Sequence, residues 1–386
     1  MQSPDYYEFF NQAKIIAGNK GMDNIPLELD GFNAQKPLVL MNKRKTSSCL
    51  KRKFINALGD SNMTVGAIFD DVADKAGIGQ INDLVGLFRA RGCDSMVAIG
   101  GGGVVDVAKG VNMIVSLGVK DIFQFAGENK IPDHLNPLVI VPTSYATGYE
   151  MTNKALIDNK RFISDFLSPD VIVVDNSMVK FRNNQEATYL SLISLVQAVE
   201  SYLEAAHNPV ATSYAYVALQ AIKDNFTKAI AKPNNKKVSL ALVNGMVSGQ
   251  ISFANSSPGI VFALGEALSF ITGHEIGLSL GVILPYALDY KLKNKSNFSS
   301  EIWLGLSDFD EYATTPESEK IDKAILFIKG LLSGAGALIP KSLKELNISK
   351  NKLEDIASLA VENTNNKVNL ADCQKILESA WQGEPI

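Results

Sequence analysis

Histidine and cysteine, the side chains that most often bind transition metals, are scarce in this sequence. Three histidines occur among 386 residues: His134, His207 and His274. The three cysteines, Cys49, Cys93 and Cys373, lie far apart and form no CxxC pair. Because their number is odd and their spacing wide, we expect three reduced thiols rather than a disulfide framework.

A strong net charge is also lacking. Lys and Arg number 37 against 41 for Asp and Glu, a net charge of -4, so the chain has no long-range field for nucleic acid or an anionic membrane. The longest apolar stretches, such as residues 276–288, are too short and interrupted to span a bilayer. The N-terminus has no basic segment followed by an apolar core. We therefore expect a soluble cytoplasmic protein without nucleic-acid or membrane partners.

The first half of the chain alternates short apolar runs with helical patterns. The predicted strands are Pro37–Met41 and residues 63–69, 96–99, 137–141 and 171–174, and the predicted helices are residues 49–58, 79–91 and 104–117. Continuous apolar strands that alternate with helices indicate a parallel sheet covered on both faces.

The second half has few strand signals. Apolar residues at helical spacing predict helices over residues 187–206, 210–231 and 237–254, with polar loops around 294–300 and 313–319. With the boundary placed near residues 176–184, we expect an α/β nucleotide-binding domain over residues 1–180. An all-α domain would follow over residues 181–386.

Four consecutive glycines, residues 100–103, follow a predicted strand and open a predicted helix. Glycine permits positive φ and close approach of a ligand to backbone N–H groups, and a helix N-terminus favours an anion. The turn therefore suits a pyrophosphate, although tight strand-to-helix packing also uses glycine. The spacing differs from GxGxxG because Val104 and Val105 follow directly.

The sequence around this turn is more specific. Residues 100–109 (GGGGVVDVAK) are similar to the GGGS-x-x-D-x-AK signature of the iron-containing (group III) alcohol dehydrogenases, and residues 142–150 (PTSYATGYE) resemble that family's PTTAGTGSE loop. Residues 14–29, 199–202 and 277–285 match further family blocks, so the resemblance covers nearly the whole chain. It implies the dehydroquinate synthase-like fold of that family. It also implies NAD(P)-dependent oxidation of an alcohol or reduction of an aldehyde, in a cleft between the two domains of the chain. The resemblance further implies a homodimer.

By position, the resemblance implies cofactor contacts from the glycine turn, the second loop and the end of the Pro37–Met41 strand. Either Lys160 or Arg161 would supply a basic contact to the cofactor ribose, and ordinary loop capping is the alternative for Thr143 and Ser144. The implied contacts are Asn42, Arg44, Gly100, Gly101, Gly102, Gly103, Asp106, Thr143, Ser144, Thr147 and Arg161.

Asn42 bears on the choice between NAD(H) and NADP(H). Many family members have Asp at this position, which binds the adenosine ribose and repels a 2′-phosphate. Here Asn42 precedes Lys43, Arg44 and Lys45, which favours NADP(H) over NAD(H) unless the basic run is a solvated turn.

Metal binding is not expected. The family's Asp and three His ligands fall on Ile193, Gln197, Phe262 and Ile276. Three of these are hydrocarbon and one is a neutral amide, so they offer no set of donors for a divalent cation. Glu266 stands at a nearby active-site His position. The alternative is a makeshift site in which His274 joins Glu266, Glu275 or Gln197.

Several functions remain open at this point. A metal-independent oxidoreductase would need hydrogen-bond donors for the developing oxyanion, and the candidate catalytic residues are Tyr145, Tyr149, Lys154, Gln197, Glu266 and His274. A non-catalytic nucleotide-binding relative, acting as a sensor or an assembly subunit, is the alternative. A cyclase similar to 3-dehydroquinate synthase would require a metal and a basic substrate pocket, and the sequence has neither signal.

Overall fold

A computed structural model describes residues 5–59, 61, 63–144, 146–203, 208–256, 259–294 and 299–384. Contacts between Cα atoms divide the chain into two compact units. The α/β unit is Phe10–Lys180. The helical unit consists of the described residues of Met1–Phe9 and Phe181–Ile386.

The α/β unit is built on a sheet of six parallel strands in the order β1-β9-β6-β4-β2-β3. Every residue of the central strands β2, β4 and β6 is buried, as expected where helices cover both faces of a parallel sheet. The strands of the unit are β1 Lys14–Gly18, β2 Pro37–Met41, β3 Ala67–Phe69, β4 Ser95–Ile99, β5 Gly127–Glu128, β6 Leu138–Val141, β7 Lys154–Ile157, β8 Lys160–Ile163 and β9 Val171–Asp175.

Four helices cover this sheet: α1 Ile25–Gly31, α2 Ser48–Leu58, α3 Ile78–Arg91 and α4 Gly103–Leu117. Ile25 and Leu29 of α1 and Phe54 of α2 share a core cluster with Val39 and Val97 of the sheet. Alternate strand residues point to the opposite face, on which α3 and α4 pack against each other.

The connections leave the sheet in opposite directions at β2 and β4. The chain passes from β2 through α2 outward to the edge strand β3, whereas it passes from β4 through α4 towards β6. Ligands of open α/β sheets bind outside the carboxyl ends of the strands where the strand order reverses in this way. The ends of β2 and β4, where Met41 is paired with Ile99, therefore flank the expected binding crevice.

A second, three-stranded sheet in the order β5-β8-β7 was not predicted. Its antiparallel hairpin turns at Asp158 and Asn159, which both have positive φ (45° and 60°), as a tight hairpin turn requires. The Asp158 carboxylate also accepts a hydrogen bond of 2.9 Å from the Ile78 backbone N–H at the start of α3. The hairpin tip is thereby fixed to the main sheet's own helix layer.

The helical unit contains α5 Asn184–Leu203, α6 Pro209–Ala231, α7 Lys236–Ala254, α8 Ile260–Thr272, α9 Ile276–Lys293, α10 Ile302–Leu306, α11 Phe309–Thr314, α12 Glu317–Gly334, α13 Leu353–Asn363 and α14 Leu370–Gln382. The predicted polar loop over residues 313–319 was wrong, because α11 and α12 occupy most of it.

The N-terminal segment packs on this unit. Phe9 stacks on Tyr214 with ring centroids 5.7 Å apart, and Asn208 donates a 2.7 Å hydrogen bond to the Glu8 carbonyl.

The predicted fold class, a parallel α/β sheet followed by helices, is confirmed. Strand 63–69 was predicted too long, since only Ala67–Phe69 pairs with β2. Within the described part of the chain, the helices are too short or too polar to cross a membrane.

Candidate functional site

The glycine turn joins β4 to α4 at the switch point of the sheet. Gly100 (φ 148°) donates a 3.0 Å hydrogen bond to the Val141 carbonyl, which fixes the turn against the end of β6. Gly102 caps α4 with φ 50° and ψ −121°, a conformation that side-chain-bearing residues rarely adopt. A Cβ on Gly103 would overlap the backbone carbonyls of Ala73 and Asp74. Residues 73 and 74 therefore pack directly against the first residue of α4, and the dipole of this helix favours an anion at its N-terminus.

The second loop, which follows β6, is closed by Glu150. This fully buried carboxylate accepts hydrogen bonds from the backbone N–H groups of Thr147 (2.7 Å) and Gly148 (3.0 Å). The Thr147 hydroxyl donates to Glu150 (3.2 Å) and accepts the Gly102 N–H (3.0 Å). Thr147 thus joins the glycine turn to the second loop, and both lie at the carboxyl edge of neighbouring strands.

Lys109 and Asp106, one turn apart on α4, fasten that helix to the segment after the second loop. The Lys109 ammonium is fully buried and donates 2.7 Å hydrogen bonds to the carbonyls of both Thr152 and Lys154. Burial lowers the pKa of Lys109 to about 8, although the nearby carboxylates of Asp106 and Glu150 act in the opposite direction. Asp106 accepts a hydrogen bond of 3.2 Å from the Leu156 backbone N–H. This hydrogen bond links β7 to α4.

Asn42, directly after β2, is almost entirely buried. Its amide donates to the Val72 carbonyl (2.9 Å) and the Asp74 carboxylate (3.0 Å), and its oxygen accepts from the backbone N–H of Arg44 (2.9 Å). Both polar ends of this side chain are used by the turn. The buried amide thus explains the local backbone without reference to a ligand.

The basic run after Asn42 is matched by acids from the segment that follows β3. Lys43 lies 3.1 Å from Asp71, and Lys45 lies 3.3 Å from Asp74. Arg44 lies 3.9 Å from Asp74, and Lys51 of α2 lies 2.5 Å from Asp70. Four cations thus face three carboxylates, so acids offset part of the local positive charge on which the NADP(H) prediction depended.

The remaining predicted cofactor contacts lie in the second loop and on the small sheet. Thr143 and Ser144 are buried in the second loop, next to the end of β6. Arg161 is half-buried on β8 of the small sheet, paired with Leu156. Tyr145 lies outside the described residues. Tyr149 is buried in the same loop, and Lys154 is buried at the start of β7.

In the helical unit, the four positions to which the resemblance assigns the family's metal ligands lie on α5, α8 and α9, which pack against one another. Ile193, Gln197, Phe262 and Ile276 are all buried. Phe262 packs against Phe253 with ring centroids 4.5 Å apart, an arrangement typical of an aromatic core. Among the residues that the structure describes, no three His, Cys, Asp or Glu side chains are grouped to hold a metal ion. These positions do not fit a divalent cation.

The other predicted residues of this unit have local contacts. Nδ1 of His274 is 2.8 Å from the Thr272 hydroxyl, and its carbonyl accepts from Ser269 (2.7 Å), so His274 lies in the turn between α8 and α9. Glu266 is buried on α8. Glu200, within the matched block 199–202, caps α8 by accepting from the N–H groups of Gly259 (3.1 Å), Val261 (2.6 Å) and Phe262 (3.1 Å).

Sequence reasoning missed the residues that hold the site together, namely Glu150, Thr147 as a link and the acids at positions 70, 71 and 74. Glu150 and Thr147 were visible as parts of a matched block. The run of aspartates was visible as sequence, but its pairing with residues 43–45 depends on the alignment of β2 with β3, which the sequence did not give.

The fold and its glycine turn define a nucleotide-binding α/β unit joined to a helical unit. Two family models match the chain: "Iron-containing alcohol dehydrogenase" over residues 12–176 and "Fe-containing alcohol dehydrogenase family, C-terminal" over residues 190–381. The chain belongs to the iron-containing alcohol dehydrogenase family, as its resemblance to that family predicted.

Named relatives span nearly the same length. The NAD-dependent methanol dehydrogenase of Bacillus methanolicus is 22% identical over 92% of this chain and 93% of its own. The 1,3-propanediol dehydrogenase of Klebsiella pneumoniae is 26% identical over 81% of each chain. The structure of sulfoacetaldehyde reductase from Bifidobacterium kashiwanohense in complex with NAD+ has a TM-score of 0.82 at 20% identity, covering 98% of this chain and 99% of that one.

Proposed function

We propose that the protein is an NAD(H)-dependent oxidoreductase that interconverts a small alcohol and its aldehyde without bound iron or zinc. The observation that carries the nucleotide site is the link between the two loops. Thr147 accepts the Gly102 N–H while it donates to the buried Glu150. This link holds an anion-binding helix N-terminus at the switch point of a parallel sheet, where a dinucleotide diphosphate fits.

NAD(H) is the proposed cofactor for two reasons. The relatives include an NAD-dependent methanol dehydrogenase and a reductase crystallised with NAD+. In addition, Asp71 and Asp74 are ion-paired with Lys43, Arg44 and Lys45, which reduces the attraction for a 2′-phosphate. We therefore propose a preference for NAD(H), whereas the basic run alone predicts a preference for NADP(H).

Independence of metal is proposed from chemistry at the helical positions. Ile193, Phe262 and Ile276 carry no lone pair, so a carbonyl oxygen would have to be polarised by hydrogen-bond donors. The candidate catalytic residues remain Tyr149, Gln197, Glu266 and His274. Bound NAD(H) would supply the hydride chemistry. A group with a transferable proton, such as Tyr149 or His274, would give a proton to the alkoxide oxygen in aldehyde reduction and take it back in alcohol oxidation.

Two measurements test this function. The purified protein is titrated with NADH, and turnover of short aldehydes is then measured at saturating NADH with and without a chelator. We expect NADH binding and a chelator-insensitive turnover that falls in a Tyr149→Phe or Gln197→Leu variant while NADH affinity is kept. Binding without turnover of any aldehyde would instead indicate a non-catalytic nucleotide-binding relative, for which the hydrocarbon ligand positions also argue. Absence of binding would overturn the proposed function altogether.

A further inference from the structure

Asp74 occupies a position between the diphosphate turn and the end of β2. Its backbone carbonyl lies where a Cβ on Gly103 would be, so the residue touches the start of α4. Its carboxylate lies 3.0 Å from the side-chain amide of Asn42, the first residue after β2. The segment is held from the other side by Gln80, which accepts from the Ala73 N–H (2.9 Å) and donates to the Asp71 carbonyl (3.2 Å).

The side chain at the end of β2 determines whether a nucleotide-binding sheet of this kind prefers NAD(H) or NADP(H). An acidic side chain there binds the hydroxyl groups of the adenosine ribose, whereas a basic side chain accommodates a 2′-phosphate. In this chain the strand itself ends in a neutral, buried amide. The carboxylate that reaches the strand end comes instead from Asp74, and about half of this side chain is exposed.

The same carboxylate pairs with two of the three neighbouring cations, Arg44 (3.9 Å) and Lys45 (3.3 Å). A 2′-phosphate that approached either cation would meet the Asp74 carboxylate and would have to displace it. A ribose 2′-hydroxyl, in contrast, could donate a hydrogen bond to it.

We propose that Asp74 is the residue that determines cofactor specificity, because it supplies a ribose-binding carboxylate to the end of β2 and withholds Arg44 and Lys45 from a 2′-phosphate. The inference depends on the proposed function, since it assumes a dinucleotide whose diphosphate lies at the glycine turn. It predicts that Arg44 and Lys45 form a latent 2′-phosphate site that the Asp74 carboxylate suppresses.

The decisive variant is Asp74→Asn, which keeps an oxygen facing Asn42 but removes the charge. We expect NADPH affinity to rise about ten-fold, equivalent to about 1.4 kcal/mol, while NADH affinity stays equal or falls. The matched control is Asp83→Asn on α3, an exposed residue of the same unit, which changes net charge equally and should alter neither affinity. Fluorescence titrations at low and high salt measure both constants, and the gain should shrink as salt rises.

A second experiment leaves Asp74 in place. In the wild-type background, Arg44→Ala and Lys45→Ala should change NADPH affinity less than about three-fold, because both cations are already paired. In the Asp74→Asn background the same replacements should remove the gain. A wild-type protein that prefers NADPH, or that loses NADPH affinity ten-fold on either replacement, would overturn the inference. A wild-type protein that binds neither cofactor would instead overturn the proposed function.

Discussion

The hydroxyl group of Thr147 holds the glycine turn and the second loop together. It accepts the Gly102 N–H and donates to Glu150, so it couples backbone to a buried carboxylate. Valine has nearly the same shape but provides neither bond. A net hydrogen bond contributes about 1 kcal/mol, and loss of charge-assisted bonds costs more.

We therefore expect Thr147→Val to weaken NADH binding about five- to ten-fold by loosening the glycine turn, with a small fall in the midpoint of thermal unfolding. Thr64→Val, at an exposed threonine of the same unit, is the control and should leave both quantities unchanged. An unaltered dissociation constant in Thr147→Val would mean that the turn keeps its shape without this link.

Lys109 is buried on α4, and its ammonium donates hydrogen bonds to the backbone carbonyls of residues 149, 152 and 154. Replacement by Met would leave these carbonyls without a charged donor. We expect Lys109→Met to lower the free energy of unfolding by about 3 kcal/mol, measured with urea. Lys53→Met, at an exposed position on α2, should change it by less than about 0.5 kcal/mol.

The pH dependence of this difference follows from the direction of the pKa. Burial lowers the pKa of Lys109 to about 8 from an ordinary 10.5. Between these values the unfolded chain holds the proton that the folded chain has released, so the Lys109 contribution to stability rises with pH. The gap between wild type and Lys109→Met should therefore widen from pH 8 to pH 10. If the difference in free energy of unfolding between wild type and Lys109→Met narrows over this range, the folded protein favours the charged form of Lys109 instead.

At the scale of elements, the start of α8 depends on one side chain from α5. Glu200 accepts hydrogen bonds from three backbone N–H groups there, and its negative charge interacts favourably with the positive end of the helix dipole. A Cβ on Gly259 would overlap this carboxylate, so the glycine is required for the cap. The family block at residues 199–202 thus contains an acidic side chain that stabilises the start of α8.

We expect Glu200→Ala to lower the free energy of unfolding by about 3 kcal/mol and Glu200→Gln by about half of that, because the amide keeps one acceptor but no charge. Glu354→Ala, in the exposed first turn of α13, is the matched control and should cost less than about 0.5 kcal/mol. Equal losses for the Ala and Gln variants would mean that the charge, and not the hydrogen bonds, provides the stability.

The elements that the sequence predicted well share one property. Strands β2, β4 and β6 are largely continuous apolar runs, and α3 has a buried face at helical spacing. Helix α4 is buried all round from Gly103 to Ile114. Local patterns were sufficient for these elements. The hairpin of β7 and β8 was missed because each strand has four residues and begins with Lys. Its strongest signal was the Asp158–Asn159 turn, whose role depends on Ile78, 80 residues away.

For the candidate site, the sequence predicted the two loops but not the contacts around them. Neighbouring loops at residues 100–103 and 142–150 could be placed because family blocks marked them. The environment of Asn42 could not, because it is set by Val72 and Asp74, 30 and 32 residues away. The charge of residues 43–45 was read correctly as sequence, yet its electrostatic effect depends on acids brought close by the pairing of β2 with β3.

At the scale of the whole molecule, the metal content is the most direct test of the helical positions. Iron and zinc measured in the purified protein should both be well below one atom per chain, and dialysis against a chelator should leave the unfolding temperature unchanged. Hydrocarbon side chains at Ile193, Phe262 and Ile276 give the reason, since they offer a cation nothing to bind. A stoichiometric metal that raises the unfolding temperature would contradict this and direct attention to His274 and Glu266.

The path of the chain has a further consequence. Residues 5–9 pack with the helical unit, through Phe9 on Tyr214 and the Glu8 carbonyl on Asn208, before the chain enters the α/β unit at residue 10 and leaves it at residue 180. In genetic terms, the α/β unit is therefore an insertion within the coding order of the helical one. Because β1 and β9 lie side by side in the sheet, with Lys14 paired to Val171, the two junctions of the insert begin at neighbouring strands. A gene segment for residues 10–180 could accordingly be exchanged between relatives as one cassette with adjacent ends, and a chimera would inherit its nucleotide preference from the donor of that cassette.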